Sequence, residues 1–176
     1  MTPRLIKKQI RGETGYTLIE LTVVIFLMGI VLSVTLPRIQ DTILTDPLKT
    51  STRRMINLIN QVKNNALRAN KNHHLYFDLE SKKYWVEFED MTDTARSAAR
   101  EEADSLPDDV RIMDIWFKGS GKVVMGETSI FFSRKGYIQP AVIHLRSKDD
   151  REFSLVLRPF LGKVEVLDRY VEFEDI

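Results

Sequence analysis

From Tyr16 to Leu36 the chain runs through 21 residues of which Glu20 alone is charged, and Pro37 closes the run. As a helix this stretch spans about 31 Å, roughly the hydrocarbon thickness of a bilayer, which predicts one membrane crossing. No second stretch of this kind exists in the sequence. Beyond it the period changes. Leu48, Thr52, Met55, Ile59, Val62, Ala66 and Ala69 recur at alternating steps of four and three, which predicts an amphipathic helix reaching Asn70. Thr45-Asp46-Pro47 supplies its start, with Asp46 or Thr45 as cap and Pro47 in the first turn. A kink or loosening is expected between the two prolines, beginning at Pro37.

The rest alternates with strand period. His74 to Leu79 and Lys83 to Glu89 flank the turn Glu80-Ser81-Lys82, and Val110 to Phe117, Lys122 to Met125 and Thr128 to Phe132 follow, separated by glycines. Tyr137 to Arg146 and Arg151 to Leu157 bracket the hairpin turn Ser147-Lys148-Asp149-Asp150, and Lys163 to Val171 makes the last strand. The segment 90–109 interrupts this pattern. It is polar and alanine-rich with no apolar period, which predicts a mobile loop or a short surface helix. The expected class is α+β, a long N-terminal helix leaning on an antiparallel sheet or a pair of sheets, because each needs the other's apolar face.

Charge orients the chain. Arg4, Lys7, Lys8 and Arg11 against Glu13 give the first 15 residues a charge of +3, which predicts a cytoplasmic N-terminus and a body beyond Leu36 outside the cytoplasm. With a whole-chain charge of +1, the remaining 161 residues carry +1 − 3 = −2, and general attraction to nucleic acid is not indicated. The chain has no cysteine, so disulfides, thiolate metal sites and a cysteine nucleophile are excluded. Within the near-neutral body the charges are segregated. The helix after Pro47 carries Lys49, Arg53, Arg54, Lys63, Arg68 and Lys71 with no acid from Lys49 to Phe77, while 90–109 holds seven acids against Arg96 and Arg100. Either the basic face is simply solvated, or it meets acidic surfaces on neighbouring subunits.

Glu20 needs a reason. An ionised carboxylate in an inserted helix costs about 2.5–3.5 kcal/mol at its centre and less near an end, so such a residue generally has a partner or a task. A cut after Gly15 would leave the apolar stretch as the first segment of the mature chain and create an α-amino group on Tyr16. That amine is poorly placed to reach Glu20 within one straight helix. A neighbouring subunit shifted along the axis could present its own amine to Glu20 and so set register.

The run Gly15-Tyr16-Thr17-Leu18-Ile19-Glu20-Leu21 followed by an apolar helix resembles the class III signal of type IV pilins and type II secretion pseudopilins, with Tyr16 in place of the commoner phenylalanine. The resemblance implies cleavage by prepilin peptidase between Gly15 and Tyr16, N-methylation of Tyr16, and Glu20 as the acid of filament assembly. It further implies a cleaved leader at 1–15, a transmembrane helix at 16–36, an amphipathic continuation at 37–72 and a β-rich, pilin-like head at 73–176 with an acidic loop at 90–109. Phe132 to Gly136 as F-x-x-x-G, and Arg158 to Val166 as RPFLGKVEV, are similar to the minor pseudopilin H family, with minor type IV pilins as the alternative. Implied partners are prepilin peptidase, other major and minor pseudopilins and an inner-membrane assembly platform. The implied setting is the inner membrane, crossed once, with a periplasmic head near the tip of a filament that moves folded proteins through an outer-membrane secretin.

No enzyme site is legible. His73, His74 and His144 lack zinc-ligand spacing, and neither HExxH nor GxSxG occurs. Gly119-Ser120-Gly121-Lys122 lacks the rest of a phosphate loop and is expected to be a turn. Asp149-Asp150 could touch calcium but is more simply a turn. The C-terminal Leu167 to Ile176 carries four acids against Arg169, so phosphate contacts there are not expected. No cofactor, metal or nucleic acid is expected.

Overall fold

A computed structural model describes residues 17–43, 46–160 and 163–172, with side chains in the first helix as far as Val31. Two units result, Met1–Thr45 and Asp46–Ile176.

In the first unit helix α1 spans Leu18–Ile43. It starts at Thr17, whose hydroxyl oxygen accepts from Glu20 N at 3.3 Å and whose carbonyl accepts from Glu20 N and Leu21 N. Thr22 folds its hydroxyl back onto the Ile19 carbonyl at 2.8 Å, which satisfies that group inside an apolar stretch. Helical backbone continues through Pro37 to Ile43. The expected kink turns on a proline whose side chain lies outside the described residues. Among the described residues no helix is long and apolar enough to cross a membrane. The run to Leu36 that suggested a crossing extends past the last described side chain, Val31.

The second unit opens with α2, Pro47–Ala69. Asp46 is its cap: one carboxylate oxygen accepts from Leu48 N at 3.1 Å and Lys49 N at 3.2 Å, satisfying two donors that the first turn leaves free. Pro47 follows at the first helical position, where its missing N–H is no loss. Asn70, with φ 51°, ends the helix in the left-handed conformation that asparagine tolerates. Leu48, Thr52, Met55, Ile59, Val62 and Ala66 are buried as the spacing predicts, joined by Ser51. Ala69 is exposed instead, because the chain is already turning away towards the first strand.

Two antiparallel sheets share the buried stripe of α2. The strands are β1 (His73–Asp78), β2 (Lys83–Phe88), β3 (Asp104–Ser105), β4 (Val110–Phe117), β5 (Gly121–Val123), β6 (Glu127–Phe132), β7 (Ala141–Ser147), β8 (Glu152–Leu157) and β9 (Glu165–Leu167). The first sheet has the order β3-β2-β1-β6 and the second β5-β4-β7-β8-β9. Alternation sends Leu75, Phe77, Ile130 and Phe132 of the first sheet into one core with Ile115, Ile143, Leu145 and Leu155 of the second. Met55 and Ile59 of α2 fill the space between them.

Two strand expectations change, and the acidic segment resolves to one of its two alternatives. Tyr137 to Pro140 is not strand: the turn at Gly136 (φ 86°) returns the chain as a single bridge from Ile138 to Phe132, and Pro140 offers no donor to a ladder. The last strand shrinks to Glu165–Leu167. In the acidic segment the surface-helix alternative holds, as α3, Asp93–Glu101, capped by the Thr92 hydroxyl through Ala95 N at 3.3 Å. No residue of α3 is buried. It lies across the outer face of the first sheet, with Arg100 over the Trp85 ring at 5.1 Å and Arg96 3.7 Å from Glu87.

Candidate assembly surfaces

Gly15 and Tyr16, where processing is expected, lie outside the described residues. Glu20 is described, and sits in the first turn of α1 on an exposed position. That position supplies a local reason for an acid. Thr17 and Glu20 have the spacing of a capping box, and a carboxylate in the first turn faces the positive end of the helix dipole. Such a carboxylate can still meet an amine from outside, since no side-chain hydrogen bond or ion pair engages it among the described residues. From Leu18 to Val31 every side chain is exposed, including Phe26, Leu27 and Met28 on successive positions around the helix. Apolar side chains on all sides need lipid or other helices around them.

In the second unit the helix entry is tied to the sheet. Arg151 Nη1, from the β7–β8 turn, lies 2.6 Å from Asp46 Oδ2, so the capping carboxylate also holds a guanidinium. That bond holds the Asp46 carboxyl below its ordinary range, helped by the Lys49 amide. The same turn answers the calcium question. Asp149 is bonded to Ser147 and lies 2.7 Å from Arg151 Nε, and Asp150, with φ 62°, stands 4.0 Å from Arg146. Cations of the chain occupy those carboxylates, and among the described residues no group of three or more ligating side chains gathers.

Gly119-Ser120-Gly121-Lys122 joins β4 to β5, with φ of 88° and 85° at its glycines. Lys122 leaves that turn to lie 4.5 Å from the centre of the Trp116 ring and 5.1 Å from that of Tyr170, and its ammonium reaches Glu172 at 3.1 Å. Bonding to Tyr170 first, and to Glu172 next, holds the ammonium above its ordinary range. The loop is a turn, and its lysine fastens the C-terminal segment.

His73 opens β1 at the helix-to-strand junction, and His74 shares the outer face of the first sheet with Tyr76 and Phe131. His144 is buried in the second sheet, beneath the chain that follows β9. Its Nε2 donates to the Val171 carbonyl at 3.0 Å, its Nδ1 lies 2.7 Å from Asp114 Oδ1, and Tyr170 stacks on its ring at 3.9 Å. The Tyr170 hydroxyl donates to Asp114 Oδ2 at 3.1 Å. Ser154 completes the attachment through the Arg169 carbonyl at 2.6 Å. With both ring nitrogens engaged and 1 % of His144 exposed, this cluster holds the C-terminal segment to the outer face of the sheet rather than presenting a base to a substrate.

Reading the sequence does not bring Asp114, His144 and Tyr170 together, although a signal exists. Apolar residues occupy 110 and 112, then 115 and 117. That change of phase is the β-bulge between Ile112 and Asp114, and it turns Asp114 outward, opposite His144.

No protein-family model matches the chain, and no curated protein matches its sequence. Solved structures match its shape. A crystal structure of the minor pseudopilin EpsH from the type II secretion system of Vibrio cholerae aligns with 72% of this chain and 97% of its own, at 11% identity and a TM-score of 0.50. Another structure of EpsH covers 70% of this chain and 98% of its own, at 12% identity and a TM-score of 0.49. At such identities the likeness is one of fold. With helix α2 packed against two antiparallel sheets, this chain has a pilin fold like that of pseudopilin H.

Proposed function

We propose that the chain is a minor pseudopilin, a structural subunit at or near the tip of a type II secretion pseudopilus that helps to move folded proteins through the outer-membrane secretin. The observation that carries this reading is the order Gly15, Tyr16, Glu20 ahead of an apolar helix, joined to a head with a pseudopilin-H-like fold. On this reading prepilin peptidase removes residues 1–15 and Tyr16 is N-methylated. The helix from Tyr16 crosses the inner membrane until an assembly platform extracts it, and Glu20 then receives the terminal amine of a neighbouring subunit. The head, periplasmic and without enzymatic chemistry, binds other pseudopilin heads. Exposed apolar side chains around α1 support a segment that exchanges lipid for other helices.

A gene deletion with complementation tests it. Loss of the gene should retain folded exoproteins in the periplasm, leave twitching and DNA uptake intact, and be rescued by the wild-type chain. Glu20→Gln, which keeps the helix but removes the charge, should insert and be processed yet rescue poorly. Retained secretion with lost twitching would move the protein to the type IV pilus, and full rescue by Glu20→Gln would remove Glu20 from assembly.

A further inference from the structure

The hydrogens of the His144 cluster do not balance with a neutral ring. Val171 offers a backbone carbonyl, which only accepts, so Nε2 at 3.0 Å must carry a hydrogen. Asp114 Oδ1 lies 2.7 Å from Nδ1, while its other oxygen accepts from the Tyr170 hydroxyl at 3.1 Å. Burial, ahead of the opposing Lys122 ammonium, pushes the Tyr170 phenol up, so that hydroxyl keeps its hydrogen. A neutral imidazole has one N–H; with it on Nε2, the lone pair of Nδ1 would face an ionised oxygen. Only one further proton, on Nδ1 or on Asp114 Oδ1, completes the arrangement, and both residues are buried. The other charges near the ring are matched or turned to solvent. Lys122 meets Glu172, Arg146 further along β7 meets Glu152, Arg111 lies opposite Arg146, and Asp168 and Arg169 are exposed.

Sheet pairing of the C-terminal segment ends at Leu167. Beyond it the Arg169 and Val171 carbonyls accept from Ser154 and His144, and Tyr170 stacks on the His144 ring. Beneath lie Val142 and Val156, packed with Val171 and beside Trp116. We infer that residues 168–172 form a strap that closes over the outer face of the second sheet by taking up one proton at the Asp114–His144 pair, and opens as that proton leaves. With the strap open, His144 meets water and behaves as an ordinary imidazole titrating at about 6.5, beside an ionised Asp114. Above that pH closure takes up a proton, so the ratio of closed to open strap falls by up to about tenfold for each unit of rising pH. Below it the open ring is already protonated, and the ratio levels off. Opening uncovers Val142, Val156 and Trp116, an apolar strip that the closed strap hides. The inference concerns the head alone and holds whichever filament the chain serves.

Because the chain has no cysteine, one introduced thiol reads the strap. Val156→Cys places it beneath the segment, at a residue 1 % exposed, and Ser97→Cys gives an exposed reference on α3. Each full-length protein, in detergent, is alkylated from about pH 6 to pH 9, and the ratio of the two rates corrects for thiol ionisation. Protection of Val156→Cys should stay level to about pH 6.5 and then fall by up to about 100-fold over two pH units. Asp114→Asn, whose amide can donate to Nδ1 and accept from Tyr170, should keep the protection and lose its slope. His144→Gln, which keeps a donor for the Val171 carbonyl, should lose the slope as well. In the wild-type chain, trypsin cleavage after Arg169 should rise over the same range relative to cleavage after the exposed Lys135. Protection that changes less than about threefold across the range overturns the inference, as does a slope that survives both substitutions. A constant cleavage ratio overturns it independently of the thiols.

Discussion

Asp46 performs two tasks with one carboxylate, capping α2 through Leu48 N and Lys49 N and holding Arg151. Asp46→Ala should lower the stability of the 46–176 head by about 1 kcal/mol for the cap alone, with a further loss for the freed guanidinium. Asp46→Asn should retain most of the cap and lose the charge. Because the folded carboxyl is held below its ordinary value, its contribution is complete above the unfolded carboxylate range and disappears as pH falls through the folded one. Urea titrations at neutral and acidic pH should therefore show wild type and Asp46→Ala converging on the acid side. At the C-terminal cluster, His144→Ala leaves the Val171 carbonyl and an Asp114 oxygen buried without their partner, at roughly 1–3 kcal/mol for each group. Tyr170→Phe removes one hydroxyl bond and should cost about 1 kcal/mol. Limited proteolysis should release the C-terminal segment from the His144 variant before the rest of the head opens.

Among the elements, α2 was the most legible, because propensity, capping and burial all point the same way between Asp46 and Asn70. The β1–β2 hairpin was legible for the same reason, with Asp78 accepting from Glu80 N and Ser81 N in the turn that the sequence marks. Segments that depend on distant partners were not. Strand β9 is short because the chain beyond Leu167 is claimed by side-chain bonds to Ser154, Asp114 and His144, which no local pattern encodes. Helix α3 is ambiguous in the sequence because it buries nothing, so its alanines and arginines carry no apolar period to read. The bulge in β4 lies between these cases, legible as a phase change at Met113 but visible only when the strand is counted through. Deleting Met113 tests that count. Without the extra residue a regular strand keeps Ile112 opposite Leu145 and Asp114 opposite His144, with Ile115 and Phe117 still facing the core, so the head should keep cooperative unfolding by circular dichroism and urea; its loss would show that Met113 is not the extra residue.

At the scale of the whole molecule the sequence divides its labour. The second unit builds its core from α2 and two sheets, in a chain with no cysteine for a disulfide. The first unit offers a helix whose described side chains are exposed throughout and apolar but for Glu20, Thr17, Thr22 and Gly29. Such a pairing, a self-sufficient head on a segment that needs other helices or lipid, is what a filament subunit requires. The proposed function turns on how that segment is processed. The intact mass of the protein purified from its native host tests this most directly. The account predicts a chain that begins at Tyr16 and carries one added methyl group. A chain that keeps residues 1–15, or one cut after the apolar stretch, would contradict it.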